Sequence, residues 1–320
     1  MTHVSVPSSL QTLTSQTQMN SMKSYTPSEL ETPQVHGLLL SAIAPRPIAF
    51  VSTVDKDGNP NLAPFSFFNV FSANPPIAIF SPARRVRGNT TKHTLDNVEE
   101  TMECVINVVS YSILHQMNLA SCEYEDGINE FEKSGLTAIA SDVVKPFRVK
   151  ESPAQFECKV REVIHLGQEG GAGNLVVAEV VRMHFHDEAF GEDGNLDPQK
   201  LDLVSRMGQN WYSRSHGDAV FEVPKPGRIV GMGVDRIPED IRKSSILTGN
   251  DLGQLGMYPE FPTEDEVKAY SELPKVKGLL EEFKRKPDQV ERLLHKEAQK
   301  LIASGKVDEA WKLLLSHKTI

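Results

Sequence analysis

The densest cluster of basic and hydroxyl side chains lies in residues 81–94, SPARRVRGNTTKHT. A predicted strand ends near residue 81, and a predicted helix begins near Thr94. A helix N-terminus presents unpaired N–H groups and a partial positive charge, so it binds phosphate readily. The segment predicts a phosphate site; the alternative is a solvated basic loop that only caps the helix. Its basic side chains are Arg84, Arg85, Arg87, Lys92 and His93, of which Arg85 and Arg87 could face solvent.

Residues 61–69, NLAPFSFFN, form an uncharged segment in which three phenylalanines alternate with hydroxyl and amide side chains. A flat heteroaromatic ring needs apolar walls, a few hydrogen-bond donors and free backbone groups along one edge. Pro64 marks a place where strand pairing is interrupted, which frees backbone groups for a ligand. The segment therefore predicts a ring site, with an ordinary hydrophobic strand as the alternative.

The two segments together predict a phosphorylated aromatic cofactor, and further motifs add a family resemblance. In chain order the motifs are residues 45–53 (PRPIAFVST), 57–69 (DGNPNLAPFSFFN), 75–76 (PP), 89–94 (NTTKHT) and 206–212 (RMGQNWY). As an ordered set they resemble the flavin reductase-like family, the FMN-binding split-barrel group that includes flavoredoxins. The resemblance spans residues 36–215.

The resemblance implies a mainly β fold with α additions: a six-stranded antiparallel Greek-key split barrel followed by C-terminal helices. It also implies a homodimer with non-covalently bound FMN at the dimer interface. It assigns no catalytic side chain, because the flavin carries the redox chemistry. By position, the residues near the ring would be Ser52, Thr53, Ala63, Pro64, Phe65, Ser66 and Asn69. Those holding the ribityl chain and phosphate would be Ser81, Arg84, Asn89, Thr91, Lys92 and Thr94, and those closing the site Arg206 and Tyr212.

The same resemblance implies an FMN-dependent oxidoreductase, expected to be an NAD(P)H:flavin reductase. Such an enzyme passes hydride to bound flavin and electrons on to a second small-molecule or protein acceptor. Short flavin reductases of this group carry Gly-Asp-His before a late strand, where this chain has Gly173 and Asn174. The missing histidine favours an alternative, a flavoredoxin-like electron-transfer protein that a protein partner reduces. A non-enzymatic split-barrel binding module, whose C-terminal helices recruit a partner, is the alternative from another class.

The elements that must position these segments have the pattern of short strands joined by tight turns. Many short strands with few helices between them indicate an antiparallel barrel rather than a doubly wound sheet. A glycine-rich stretch at residues 167–174 opens no helix and is therefore no dinucleotide-binding fingerprint. The predicted strands are residues 47–54, 61–71, 77–80, 104–109, 156–164 and 175–185, with a hairpin turn at 55–58 and a helix at 94–103.

The chain is predicted to have four parts. Residues 1–28 form a disordered Ser/Thr/Gln-rich tail, and residues 29–223 form the FMN-binding split-barrel domain. Residues 224–262 are expected to be an extended segment that wraps over the barrel. Residues 263–320 form a helical appendage, opened by the capping box TEDE at 263–266. The appendage is expected to pack against the barrel or a dimer mate, or to carry a dedicated partner site.

Composition limits the partners and the compartment. The formal net charge of −9 over 320 residues argues against a nucleic-acid binder. The longest uncharged stretch, residues 58–83, contains five prolines and is not expected to span a membrane; residues 1–24 lack the apolar region of a secretory signal. Three scattered cysteines indicate no disulfide framework and a reducing, cytoplasmic compartment. Cys104 and Cys122 are expected to be buried small hydrophobes.

Three histidines are candidate functional groups. His184 and His186 lie two residues apart on a predicted strand and would face the same side, as metal ligands can. Asp187 would point to the opposite face, so the pair lacks a third ligand and we expect no metal site. His165, at a strand end, is expected to be an ordinary loop residue rather than a proton donor.

Overall fold

The computed structural model describes residues 22–125, 127–285 and 289–316. The chain divides after Phe221 into two compact units. Residues 1–21, most of the predicted tail, lie outside the described residues. None of the described helices has both the length and the apolar character that a membrane span requires.

The first unit consists of β-strands joined by turns and short helices. Its strands are β1 (Ala49–Val54), β2 (Pro60–Phe65), β3 (Phe68–Ala73), β4 (Pro76–Phe80), β5 (Glu103–Val108), β6 (Ala138–Ile139), β7 (Arg148–Val149), β8 (Ala154–His165), β9 (Asn174–Phe185), β10 (Val204–Gly208) and β11 (Trp211–Arg214). Its α-helices are α1 (Thr32–Ala42), α2 (His93–Thr101), α3 (Leu114–Ala120), α4 (Glu130–Ser134) and α5 (Pro198–Leu201). Five of the six predicted strands and the predicted helix are confirmed, with ends shifted by at most two residues.

Seven strands form one antiparallel sheet in the order β2-β1-β5-β8-β9-β4-β3. The prediction of six strands is wrong because residues 61–71, expected to be one strand, form two. The chain bends at Ser66 and Phe67, so that β2 pairs with β1 while β3 pairs with β4. Within the described parts of the chain β2 and β3 are not paired with each other, so hydrogen bonds do not close this sheet into a barrel.

Strand β1 is buried along its whole length because both faces of the sheet are covered around it. Alternate side chains of a strand point to opposite faces. Accordingly, Ala49 and Val51 join an apolar cluster that contains Phe80, whereas Phe50 joins a second cluster that contains Phe131. The two clusters fix β1 and its neighbour β2 from both sides, which makes β2 a rigid base for a binding site.

The second unit, from Glu222 onward, is helical. Its core surrounds Trp311, whose indole Nε1 donates to the Leu255 backbone oxygen at 3.1 Å. The predicted capping box is confirmed: Glu266 N donates to Thr263 Oγ1 at 3.3 Å, and Thr263 N donates to the Glu266 carboxylate at 2.8 Å. The helices are α6 (Glu239–Arg242), α7 (Gly249–Gly256), α8 (Glu264–Ser271), α9 (Pro274–Lys284), α10 (Val290–Ala303) and α11 (Val307–Ser316).

The structure of residues 224–262 differs from the extended segment expected there. The stretch contains α6 and α7, and its Met232 and Leu255 belong to the same apolar core as α10 and α11. A second capping box, in which Thr248 and Asp251 bond reciprocally, starts α7. The many glycines and prolines of this stretch thus separate short helices.

Candidate functional site

The basic turn, residues 82–92, connects β4 to α2. Two of its predicted ligand residues bind each other: Arg84 Nε and Nη2 donate to the side-chain and backbone oxygens of Asn89, both at 2.7 Å. Asn89 has a φ of 50°, a left-handed conformation that asparagine tolerates better than most residues. Arg84 and Asn89 therefore stabilise the shape of the turn.

The glycine loop, residues 167–173, packs against the basic turn. Gly171 N donates to the Arg84 backbone oxygen at 3.0 Å. A Cβ on Gly170 would lie 2.8 Å from the Val86 backbone oxygen, so only glycine allows this close approach. The glycine loop is no dinucleotide fingerprint, and its contacts with Arg84 and Val86 position the basic turn.

Asn174, which the resemblance sets against the histidine of short flavin reductases, is buried. Its backbone N donates to Ser81 Oγ at 3.0 Å, and its side-chain Nδ2 donates to the Pro82 oxygen at 2.8 Å. Its Oδ1 lies 2.7 Å from His165 Nδ1. Asn174 and Ser81 thus connect the basic turn to β9, and neither lines a described cavity.

A cavity of about 120 Å³, the basic cavity, opens beside Lys92. Its walls include Ala63 and Pro64 of β2, Arg85, Thr94, and Ser121 after α3. Lys92 Nζ lies 5.1 Å from the centre of the Phe65 ring. Burial lowers the pKa of Lys92, and Arg85 lowers it further, while Glu123 acts in the opposite direction.

Arg85 and Arg87, the two arginines that could face solvent according to the sequence, have different surroundings in the structure. Arg85 lines the basic cavity, and its Nη1 donates to Thr90 Oγ1 at 3.1 Å and to the Thr91 backbone oxygen. Its Nε also lies 3.8 Å from the Glu123 carboxylate. Arg87 is exposed and lines no described cavity. Arg85 is therefore a site residue that the sequence analysis missed.

Behind the basic cavity, buried polar side chains join β1 and β2 to α2. Asn61 Nδ2 donates to Thr94 Oγ1 at 2.9 Å and to Thr53 Oγ1 at 3.2 Å. Asn97 Nδ2 donates to Thr53 Oγ1 at 3.1 Å. The Ser52 hydroxyl is buried and has no hydrogen-bond partner among the described residues. Thr53 thus positions the N-terminus of α2, and Thr94 both lines the cavity and belongs to this network.

Glu130 places a buried carboxylate on the wall of the basic cavity. It accepts a hydrogen bond from Leu62 N, a backbone donor of the edge strand β2, at 3.0 Å. Burial raises the pKa of Glu130, although the Leu62 hydrogen bond and the charge of His93 act in the opposite direction. The cavity wall therefore carries two carboxylates, Glu123 and Glu130, beside the basic side chains of Arg85 and Lys92.

A second cavity of about 280 Å³, the aromatic cavity, adjoins the first. The end of β2 supplies Pro64, Phe65 and Ser66 on one side, and the β10–β11 hairpin supplies Arg206 and Tyr212 on the other. The Arg206 guanidinium lies 4.6 Å from the centre of the Tyr212 ring. Pro64 and Ser121 line both cavities, so the basic turn and the phenylalanine-bearing strand border neighbouring cavities, which together we call the cleft.

The structure brings together eight of the predicted site residues. These eight line one or both cavities: Ala63, Pro64, Phe65, Ser66, Lys92, Thr94, Arg206 and Tyr212. Asn69 is instead exposed on β3, where its Oδ1 accepts from Val70 N at 2.8 Å. The other six lie behind or beside the cleft: Ser52, Thr53, Ser81, Arg84, Asn89 and Thr91.

The cleft also contains residues that were not among the predicted site residues. Asn118 and Met117 come from α3, Asn210 from the β10–β11 turn, and Ile48 from the residue before β1. Helix α3 is short, and its apolar spacing is that of any packed helix, so the sequence offered no signal for Asn118. Ile48 lies inside the PRPIAFVST motif and Asn210 inside the RMGQNWY motif, so the sequence pattern could have indicated both.

The candidate histidines of β9 and the residue after it lie within hydrogen-bond distance of oxygen atoms elsewhere in the first unit. His184 Nε2 lies 2.7 Å from Glu157 Oε1, and His186 Nε2 lies 3.0 Å from the Lys150 oxygen. The ligand atoms of Asp142, Glu157 and His184 lie within 4.8 Å of one another, but both Glu157 oxygens already accept backbone N–H groups. The expectation that Cys122 is buried is wrong: it is exposed at the basic cavity, whereas Cys104 is buried as predicted.

Comparison with known proteins identifies the family. The model of the flavin reductase like domain matches residues 41–204, which is half of the chain and includes both β2 and the basic turn. The chain belongs to the flavin reductase-like family. Its second unit lies outside the matched residues.

Relatives and solved structures agree with this family. An uncharacterized protein of Halalkalibacterium halodurans is 38% identical over 202 residues, which cover 62% of this chain and 95% of that protein. Component B of nitrilotriacetate monooxygenase from Bacillus cereus is 32% identical, with a TM-score of 0.59 over 64% of this chain and 100% of that one. A protein of Shewanella frigidimarina, described provisionally as a flavin reductase with a split barrel domain, is 30% identical, with a TM-score of 0.53 over 62% of this chain and 95% of that one.

Proposed function

We propose that this flavin reductase-like protein is an FMN-dependent oxidoreductase that takes hydride from NAD(P)H and delivers electrons to a second acceptor. One observation carries the proposal: the basic and aromatic cavities share Pro64 and Ser121 along the end of β2. A ligand with a phosphate at one end and a flat ring at the other fits such a pair of cavities. The basic side chains and the apolar walls are in the order that FMN requires.

The residues present fit FMN. Lys92 and Arg85 supply positive charge for the phosphate, and Thr94 supplies a hydroxyl at the start of α2. Residues 63–66 supply three apolar side chains and one hydroxyl for the edge of the ring. Bound flavin would supply the redox chemistry, accepting hydride from the donor and passing electrons on. Arg206 would place a positive charge at the ring cavity, where it stabilises negative charge.

The shape of the basic turn is held by contacts within the protein. Arg84 and Asn89 hold it from within, and the glycine loop and Asn174 hold it from outside. Preorganised donors cost less reorganisation on binding than mobile ones. We therefore assign Ser81, Arg84 and Asn89 a positioning role in the proposed phosphate site.

A flavoredoxin-like electron-transfer protein is the second candidate function, and Asn174 favours it. The side chain of Asn174 is engaged by Pro82 and His165, so it offers no free group to a nicotinamide. In that case a protein partner would reduce the bound flavin.

An anaerobic titration tests the function and separates the two candidates. The purified chain is expected to take up FMN and show a flavin absorption band, which NADH or NADPH, added separately, then bleaches. Uptake without bleaching by either nicotinamide would favour the protein-reduced alternative. A chain that stays colourless after incubation with FMN would contradict both candidates.

We further propose that the protein is a homodimer in which α1 and β3 lie at the interface. Helix α1 has no buried residue, and it carries exposed apolar side chains. Leu39 is 51% exposed, and Ile43, directly after the helix, is 64% exposed. On edge strand β3, Val70 and Phe71 are 68% and 64% exposed. Exposed apolar groups of this kind mark interaction surfaces. Light scattering is expected to give twice 35.5 kDa, falling towards one chain mass in Phe71→Glu; a single-chain mass for the unaltered protein would contradict the dimer.

A further inference from the structure

We propose that a third cavity, beside Arg206, binds the anionic group of the molecule that exchanges electrons with the flavin. The group is a carboxylate or a phosphoryl group, which share the same negatively charged oxygens. The inference rests on the proposed function, because it assigns a second ligand to the same cleft. We call this cavity the anion cavity.

The anion cavity has a volume of about 320 Å³. Its walls carry a guanidinium, an imidazole, two primary amides and a phenol, and they contain no carboxylate. Such groups can all donate hydrogen bonds to an oxyanion, and an unopposed arginine is the residue best suited to bind one bidentately. The lining residues are Leu114, His115 and Asn118 of α3 and Arg206, Asn210 and Tyr212 of the hairpin.

Arg206 has no acidic partner. Its guanidinium stacks on the Tyr212 ring and donates from Nη2 to the Gln209 backbone oxygen. No carboxylate of the described residues lies within ion-pair distance of it. Arg214, on the same hairpin, shows the contrast, since it pairs with Asp202 at 2.6 and 2.8 Å. The contact with the Tyr212 ring and the hydrogen bond to Gln209 together restrict the position of the Arg206 guanidinium, and a guanidinium can bind a carboxylate or phosphoryl group through two hydrogen bonds.

A second guanidinium increases the positive charge behind Arg206. Arg46 is only 6% exposed, and its backbone N and O bond those of Arg206 at 2.9 Å each. Its Nη1 donates to the Ile43 backbone oxygen at 2.7 Å, but Nε and Nη2 have no partner among the described residues. Arg46 lines none of the cavities, but its charge lies close to that of the half-buried Arg206: burial and the Arg206 charge both lower the pKa of Arg46. An anion bound at Arg206 would offset this repulsion.

The position of the anion cavity indicates which ligand it serves. It shares Asn118, Arg206, Asn210 and Tyr212 with the aromatic cavity, and none of its lining residues with the basic cavity. The proposed flavin phosphate therefore lies at the opposite end of the cleft. An anion held by Arg206 and His115 would leave the rest of its molecule beside the ring cavity. This arrangement fits an anionic electron donor or acceptor.

Benzoate tests the proposal on the FMN-loaded protein, with the neutral benzamide as the matched ligand. Benzoate is expected to perturb the flavin absorption band saturably, and benzamide to bind at least tenfold more weakly. Arg206→Gln and His115→Asp are each expected to raise the benzoate dissociation constant at least tenfold. Leu114 and His115 line the anion cavity but neither of the others, so His115→Asp should retain FMN. Arg214→Gln, on the same hairpin, is the control that should leave benzoate binding unchanged.

Inorganic pyrophosphate separates the two sources of the anion. Displacement of benzoate by pyrophosphate at similar concentrations would assign the cavity to the phosphates of a nucleotide donor, and failure to displace would assign it to a carboxylate ligand. Equal binding of benzoate and benzamide, or benzoate binding that neither substitution weakens, would overturn the proposal. Failure of the unaltered chain to take up FMN would instead overturn the proposed function, and the flavin band reports this separately.

Discussion

Lys92→Met is expected to raise the dissociation constant of FMN about ten- to a hundredfold and to leave riboflavin binding nearly unchanged. Lys92 lies at the basic cavity, where its Nζ is 5.1 Å from the Phe65 ring, and no carboxylate of the described residues pairs with it. A hydrogen bond to a charged group contributes about 1.5–3 kcal/mol, which corresponds to the stated range. Methionine keeps most of the length of the side chain and removes its charge.

The difference between the two ligands isolates the phosphate. Riboflavin has the ring and the ribityl chain but no phosphate, so loss of the lysine charge should affect FMN alone. Quenching of flavin fluorescence on titration with the chain measures both constants. Arg87→Met is the control, because Arg87 is exposed in the same turn and lines no described cavity. An equal loss of affinity for both ligands would mean that Lys92 shapes the ring site instead of binding the phosphate.

The parts of this site that could be predicted from the sequence are those carried by one continuous segment. Residue types alone marked the basic turn and the end of β2, and the structure places both on one cleft. Strand positions followed from β-branched and apolar runs bounded by turn residues. The split of residues 61–71 into β2 and β3 could not be predicted, because both halves are equally apolar and the bend serves two different pairing partners.

Contacts between distant segments were beyond the sequence. Arg84 and Asn89 have side chains that could bind a phosphate. In the folded turn they are hydrogen-bonded to each other instead, and neither lines the cavity. Helix α3 contributes Asn118 through packing on β2, which no spacing in α3 reveals. The glycine loop can approach the backbone of Val86 closely only because its glycines have no side chain. Each of these depends on a partner more than 40 residues away or on a local bend.

Glu157→Gln is expected to lower the free energy of unfolding by about 2–4 kcal/mol at pH 7. Glu157 is fully buried on β8, and its carboxylate accepts from Asp142 N at 2.8 Å, Val143 N at 2.7 Å and Val144 N at 3.1 Å. His184 Nε2 lies 2.7 Å from the same carboxylate. An amide in its place would present a donor to several donors, which leaves buried N–H groups unpaired.

The same carboxylate should make stability depend on pH. Burial by itself raises the pKa of Glu157, but the hydrogen bonds from residues 142–144 and His184 together lower it below the ordinary value of 4.5. A group whose folded pKa is depressed contributes stability above its unfolded pKa, and this contribution is lost as the pH falls through the folded pKa. The difference between the unaltered protein and Glu157→Gln should therefore be largest near neutral pH and shrink as the medium is acidified below about pH 4.5.

Urea unfolding at pH 7 and at pH 4 measures this difference, and Glu179→Gln is the matched control. Glu179 is a strand carboxylate that pairs with the exposed Arg161, and an ion pair of this kind contributes less than about 1 kcal/mol. The control should therefore change little at either pH. If Glu157→Gln proved as mild as Glu179→Gln, the carboxylate would not hold residues 142–144. If its loss were as large at pH 4 as at pH 7, the contribution of Glu157 would come from its shape, because a charged acceptor must weaken as it takes up a proton.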